Sequence, residues 1–428
     1  MAKKRIIILG GGLAGLSAAW HLQQRKRECL LFEKEPEVGG LCRSKKIGEF
    51  TFDYDGHLLH FRRRYTFDLV RRLLGGNLTG HRRNAWIYTH KRYIRYPFQA
   101  NLYGLPADIV EECLLGFIRA AKNGRARDEN FLDWINHTFG EGIARHFMVP
   151  YNEKFWTVPP SELNCEWLDG FIPVPSLQEV IEGTVKESRR QFGYNAHFWY
   201  PKKGGIRQLP QAFCRSMKNI YTGCKINAVD LKKKEVITPA GREKYTHLIS
   251  TLPLPELPGL VTGLPQEVIS DLRRLRWNSV FNLNLGVARS ESSRRHWVYF
   301  PQKEISFFRV GFPHNFSASC APEGASSLYA EVSYSRQRPL NKKSITQRIR
   351  KDLVRTGLLS ADDRIVAEDT NDIKYGYPIY DKNYLPSLGR IFDFLSRHDI
   401  LPCGRYGAWR YMSMEETILD AHDAAERL

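Results

Sequence analysis

No apolar run in the 428 residues approaches the roughly 20 that a membrane-spanning helix needs. Eight cysteines stand singly at 29, 42, 113, 165, 214, 224, 320 and 403, with no CxxC pair and no metal-type Cys/His spacing. That pattern excludes a zinc ribbon and a disulfide scaffold, predicts no metal site, and fits reduced, mostly buried thiols in a cytoplasm. GxSxG, HExxH and Walker patterns are absent too, so neither a serine elbow, a metalloprotease helix nor a P-loop supplies the chemistry. Asp53, Asp55, Glu153 and Asp169 are present, but no spacing pairs them. Internal repeats and low-complexity tracts are missing.

What the chain has is length for two or three lobes and a net charge of +18. The charge is dispersed in short basic clusters, Arg62 to Arg64, Arg71 and Arg72, Lys232 to Lys234, and Arg273 and Arg274. Such a field attracts nucleotides, anionic membrane surfaces or nucleic acid. No nucleic-acid-binding signature accompanies it, so no nucleic-acid partner is expected. The opening "MAKKRIIILGGG" runs directly into a strand-like segment, and the N-terminus is expected to belong to the fold rather than to a signal peptide.

Hydrophobic patterning predicts a strand over Ile6 to Leu9, a helix through "LSAAWHLQQ" and a strand over Cys29 to Phe32. Further β-rich segments are expected at Ala85 to Tyr96, Cys224 to Leu231, Val280 to Ala288, Trp297 to Phe300, Ser306 to Phe312 and Ser327 to Tyr334. Helical spacing dominates from Pro106 to Gly193. "YTHLISTLPL" reads as a buried strand, and Met414 to Leu428 as a helix with acidic residues at its start.

Gly10, Gly12 and Gly15 form GxGxxG between the first strand and helix, the arrangement that lets a pyrophosphate meet the helix N-terminus. Glu33 closes the second strand about 20 residues on, where a carboxylate accepts ribose hydroxyls. "KEPEVGGLCRS" then adds Gly39, Gly40 and Arg43, an extension of the kind that brings chain close to the pyrophosphate and flavin of FAD. With no side-chain nucleophile in view, the cofactor is the expected engine.

These motifs resemble one family, the UDP-galactopyranose mutases, within the amine-oxidase-like flavoproteins. The likeness runs through "FDYDGHLLHF", "RYPFQANLYGLP", "FLDWINHTFGEGIARHFMVPYNEKFWTVPP", "YPKKGG", "HWVYFP", "YGYP" and "GRYGAWRYMSMEETI", in the family's order. It implies an enzyme that interconverts pyranose and furanose forms of UDP-galactose or a related nucleotide sugar, with N5 of reduced FAD attacking the anomeric carbon. The alternative on the same scaffold is an amine-oxidase or desaturase type of oxidoreductase. NADPH or a separate reductant would supply electrons, and a homo-oligomer is left open.

Carried over by position, the resemblance implies FAD contacts from Gly10, Gly12, Leu13, Ala14, Gly15, Glu33, Lys34, Gly39, Gly40, Leu41, Gly56, His57, Val229, Gly404, Arg405, Ser413 and Met414. Tyr96, Phe98, Gln99 and Asn101 would hold the base, and Trp156, Asn195 and Tyr299 the nucleotide cleft. Arg309, Tyr377 and Tyr411 would grip the diphosphate, and His57 would answer to the flavin's redox state. Tyr151 to Phe171 would build an aromatic wall beside the flavin. Two positions depart: Ser413 stands at a position that is acidic in many bacterial members, and Phe171 stands where the family carries a second diphosphate-binding arginine, although a phenyl ring cannot pair with phosphate. Arg189, Arg190 and Lys154 are the cations considered as its replacement.

The fold class expected is α/β, with a Rossmann-like FAD-binding domain assembled from residues 1–65, 200–260 and 390–428. A helical lobe over 100–195 and a mixed or antiparallel β-sheet substrate domain over 66–99 and 261–389 complete it.

Overall fold

The structure is a computed structural model that describes residues 5–123, 127–168, 170–188, 190–193, 195–291 and 293–428. Ile6–Leu9 is a four-residue strand buried at every position, as a central parallel strand covered on both faces must be. It pairs in parallel with Cys29–Phe32 on one side and His247–Ser250 on the other. Ile400–Pro402 and Ile220–Tyr221 extend this parallel sheet to five strands. Its strands come from the start, the middle and the end of the chain. Helix Leu13–Gln24 covers it, and the terminal helix Met414–Glu426 packs on that helix. Ser413 caps the terminal helix by a reciprocal capping box with Glu416, which fixes where that helix begins.

A seven-stranded sheet forms the second layer, in the order Ile365–Ile379, Arg276–Val287, Ser326–Tyr334, Arg309–Gly311, Trp297–Tyr299, Ala85–Thr89, Arg92–Arg95. All its pairings are antiparallel except that between Trp297–Tyr299 and Ala85–Thr89. The 15-residue strand Ile365–Ile379 was not anticipated from sequence. Asp369, Asn371 and Asp372 argue against a strand, yet Lys45 Nζ donates to both Asp369 and Asn371 and neutralises that polar face. Two other expected strands shrink: only Ala228–Asp230 of Cys224 to Leu231 and Arg309–Gly311 of Ser306 to Phe312 pair.

The middle of the chain is helical where helical spacing was read, over Ala107–Asn123, Phe131–Ile143, Val149–Trp156 and Leu177–Val185. A π-helical turn, Ala144–Met148, joins the second to the third. The first two pack backbone to backbone: a Cβ on Gly142 would lie 2.5 Å from the Glu112 carbonyl. Helix Arg64–Leu74 buries Leu69, Val70 and Leu74 in the core cluster that also holds Ile6, Ile8 and Leu31, and it packs on helices Gln208–Cys214 and Met414–Glu426. No helix among the described residues is long and apolar enough to cross a membrane.

Candidate active site

Between the first strand and helix the chain turns through Gly10, whose φ of +99° is reached without strain only by glycine. A Cβ on Gly15 would sit 2.0 Å from the Gly10 carbonyl, so the third glycine is what lets the helix start so close to the turn. Gly12 bridges Gly39, Gly39 N donates to the Gly11 carbonyl at 2.7 Å, and Gly40 lies beside them. Leu13 and Ala14 are buried in the first helical turn, which has no side-chain cap, so its N–H groups remain for an anion. Glu33 is buried and accepts from Gly11 N at 2.6 Å and Glu35 N at 2.9 Å. Exposed Lys34 and half-buried Leu41 flank these turns. Gly404 packs against Ala14 from the other end of the chain. This uncapped helix start, with two glycine pairs and a buried carboxylate, fits the pyrophosphate and ribose of FAD.

A cleft opens beside this turn. Gly56, His57, Arg405, Ser413 and Met414 line one side, and Tyr96, Gln99, Asn195, Tyr299 and Arg309 the other. Between them stand Tyr151, Phe155, Trp156 and Phe171, the wall expected from the sequence, with Tyr377 and Tyr411 facing it. Phe147 stacks on Tyr151 at 5.3 Å, and Tyr377 stacks on Tyr411 at 5.5 Å and 23°. Trp156 is 1% exposed, and its indole nitrogen has no partner among the described residues. A buried polar atom of that kind costs roughly 1–3 kcal/mol until a ligand or water meets it.

Arg309 and Glu331 are a buried pair, with Arg309 Nη2 donating to Glu331 Oε1 at 2.6 Å and Nε to the other oxygen. Burial opposes the guanidinium charge, but Glu331 raises its pKa well above the usual value, so Arg309 stays charged. Arg405 instead donates to the Met412 carbonyl, and its guanidinium carbon lies 5.1 Å from the Tyr377 ring and 5.8 Å from Tyr411. Burial raises the pKa of Tyr377 and of Tyr411, so both phenols are protonated and able to donate. Burial lowers the pKa of His57, whose Nδ1 is 3.0 Å from the Asp55 carbonyl. A carbonyl only accepts, so the proton of neutral His57 sits on Nδ1 and Nε2 keeps its lone pair.

Not every expected residue reaches the cleft. Phe98 is fully buried and stacks on Phe147 at 5.2 Å, behind the lining. Asn101 is buried and donates to the Pro97 carbonyl. Val229 is fully buried in a separate four-stranded sheet, its N–H donated to Leu260 and its carbonyl taking Thr262 Oγ1. Lys154 is buried with Nζ on the Phe300 and Gln302 carbonyls, and Arg190 pairs with Glu179, so neither stands in for the missing arginine. Arg189 and Asp169 lie outside the described residues. Asp53 accepts from Ser44, Tyr200 and Ile206 N, and Glu153 pairs with Lys303.

Three residues were passed over. His60, also in the lining, sat in plain view within "FDYDGHLLHF", and burial lowers its pKa to about 4. Arg83 donates to Asn195 Oδ1 and the Phe192 carbonyl and lies 4.7 Å from the Tyr96 ring, which leaves Asn195 Nδ2 to a ligand. Arg62 lies over the Phe171 ring at 5.3 Å, a proximity that nothing in the spacing of 62 and 171 signals.

A parallel sheet with this glycine turn, opening onto an aromatic cleft beside a mixed sheet, defines a flavin-dependent enzyme of the amine-oxidase-like class. The chain matches the flavin-containing amine oxidoreductase family over residues 13–371 and belongs to it. Its fold superposes on reduced UDP-galactopyranose mutase with a TM-score of 0.95, at 27% identity, over 100% of this chain and 94% of that one. The mutase resemblance read from the sequence is upheld. Curated relatives include coproporphyrinogen III oxidase of Bacillus subtilis, 20% identical over 77% of each chain. The zeta-carotene-forming phytoene desaturase of Myxococcus xanthus is 22% identical, over 78% of this chain and 73% of its own.

Proposed function

We propose that the protein is a mutase interconverting the pyranose and furanose forms of a nucleotide sugar, UDP-galactose or a close relative. The observation that carries this reading is the convergence of Tyr96, Gln99, Trp156, Arg309, Tyr377, Arg405 and Tyr411 on one cleft, in a chain whose full-length fold is that of a solved UDP-galactopyranose mutase. Reduced FAD, when bound, supplies the nucleophile to the anomeric carbon.

The chain's own residues bind and orient. Gln99 Nε2 is committed to the Pro173 carbonyl, which leaves Oε1 to accept from a base N–H beside Tyr96. Tyr377 and Tyr411 donate to phosphate oxygens, and Arg405 faces the same anion with no carboxylate paired to it among the described residues. Arg309 contributes a fixed fork whose net charge Glu331 reduces. The aromatic wall excludes water from the reacting carbon. We also propose the three-lobe division given above, with residues 64–74 assigned to the FAD-binding lobe.

Dithionite-reduced protein incubated with UDP-galactofuranose tests the reading: chromatography is expected to show UDP-galactopyranose, and no ring isomer of any UDP-sugar would end it. NADPH is the first physiological reductant to test, by anaerobic bleaching of the flavin band. The oxidase and desaturase relatives support a second reading, net oxidation of an apolar substrate on the same aromatic wall. Rapid anaerobic flavin reduction by such a substrate, reversed by oxygen, would favour it.

A further inference from the structure

Next to the cleft lies a second concave surface of about 460 Å³ that the catalytic reading does not use. Its apolar wall is a closed trio of rings: Phe61 and Phe67 lie 5.4 and 5.2 Å from Trp199, and 5.4 Å from each other. Its polar wall carries Arg62, Arg63, Arg64 and Arg71, against which Asp68 is the single lining carboxylate among the described residues. The balance of charge is three positive. Arg71 reaches over Phe67 at 5.9 Å, so one cation already borders the ring surface.

The arginine run is held in place. Glu415, 4% exposed, accepts from Arg62 N at 2.7 Å, from Arg63 N at 2.9 Å and from Thr66 Oγ1. Glu415 follows Met414, which lines the cleft, so the same helix start anchors both surfaces. The two depressions meet at Arg62 and Phe171: Arg62 lies over one phenyl ring, and that ring meets Tyr411 of the cleft at 4.8 Å.

We propose that this groove is a second ligand site that takes a nucleoside diphosphate moiety, its phosphates on the arginines and its base on the aromatic trio. Guanidinium forks pair bidentately with phosphate oxygens, and aromatic rings stack on a base of any identity. The four arginines line one groove and fall within residues 62–71, whereas a nucleic-acid strand would need a longer basic track. The site does not depend on which molecule the cleft transforms.

Calorimetric titration of ADP into the FAD-loaded protein tests it. ADP is expected to bind the wild type, with affinity that falls as salt rises, and to bind the cleft variant Tyr377→Phe/Tyr411→Phe equally well. In the Arg63→Ala/Arg64→Ala variant, which alters the rim and leaves the cleft lining intact, ADP affinity should drop about tenfold or more while FAD content holds. Loss of ADP binding in the cleft variant, or wild-type ADP binding by the rim variant, would overturn the second site. Inorganic pyrophosphate binding as tightly as ADP would overturn the role of the rings, and a thymidine oligonucleotide binding more tightly than ADP would overturn the ligand class. Loss of mutase activity with ADP binding intact would instead count against the reading of the cleft alone.

Discussion

Arg309 and Glu331 stand directly opposite each other on adjacent antiparallel strands, with both donors of the guanidinium fork on one fully buried carboxylate. Burial holds the Glu331 carboxyl well above the usual carboxylate range against the pull of Arg309, and truncating one partner of such a dry pair typically costs roughly 3–5 kcal/mol. Arg309→Met is therefore expected to lower unfolding stability by about that amount, measured by urea denaturation of the FAD-loaded protein. The double variant Arg309→Met/Glu331→Gln should recover a large part of the loss. A double variant no more stable than the single one would show that Glu331 is satisfied by some other group.

The glycine turn makes a sharper demand. A methyl on Gly15 would sit 2.0 Å from the Gly10 carbonyl, so Gly15→Ala must push the helix away from the turn. Overpacking of this sort costs about 1–3 kcal/mol, and here the displaced groups are those offered to the pyrophosphate. The variant is expected to purify with little bound FAD, read from the flavin absorbance per polypeptide, and full flavin content would refute the assignment.

Much of this half of the molecule was legible. The strand Cys29–Phe32, the carboxylate that ends it and the terminal helix with its acidic start each follow from local rules, a buried β run, a fixed offset and a helical pattern opened by glutamates. What was not legible depends on long-range pairing. Strand Ile365–Ile379 hides behind acidic residues, of which Asp369 is neutralised by Lys45, 324 positions earlier. Phe98 and Asn101 share a motif with Tyr96 and Gln99, yet a short 3-10 turn over Phe98–Ala100 rotates alternate side chains away from the cleft. Arg62 meets Phe171 only because Glu415 pins the backbone of residues 62 and 63 from the far end of the chain.

Phe171 itself can be tested by gain. Its ring lies in the cleft lining between Tyr411 and Arg62, and Arg309 there is already balanced by Glu331. Phe171→Arg adds a guanidinium where the proposed diphosphate passes, and a charge-assisted contact contributes about 1.5–3 kcal/mol. UDP is expected to bind about tenfold tighter at low salt, with the gain shrinking as salt rises. Unchanged UDP affinity would place the diphosphate elsewhere.

His296 carries a pH dependence of stability. It is 7% exposed, its Nδ1 accepts from Asn84 N at 2.9 Å, and burial lowers its pKa to about 3, with His81 adding a smaller push in the same direction. In the unfolded chain the same ring titrates near 6.5. Between those values the unfolded state holds a proton that the folded state refuses, so stability present above about pH 6.5 drains away as pH falls toward 3. The slope from one such group approaches about 1.4 kcal/mol per pH unit. Urea unfolding of wild type at pH 7, 6 and 5 should show progressive loss, to which His21, lowered to about 4 by burial, also contributes. His296→Gln keeps an acceptor of similar reach but cannot take the proton. Its stability should fall less steeply across that window, by close to one proton, and an identical slope would mean that His296 is charged in the fold.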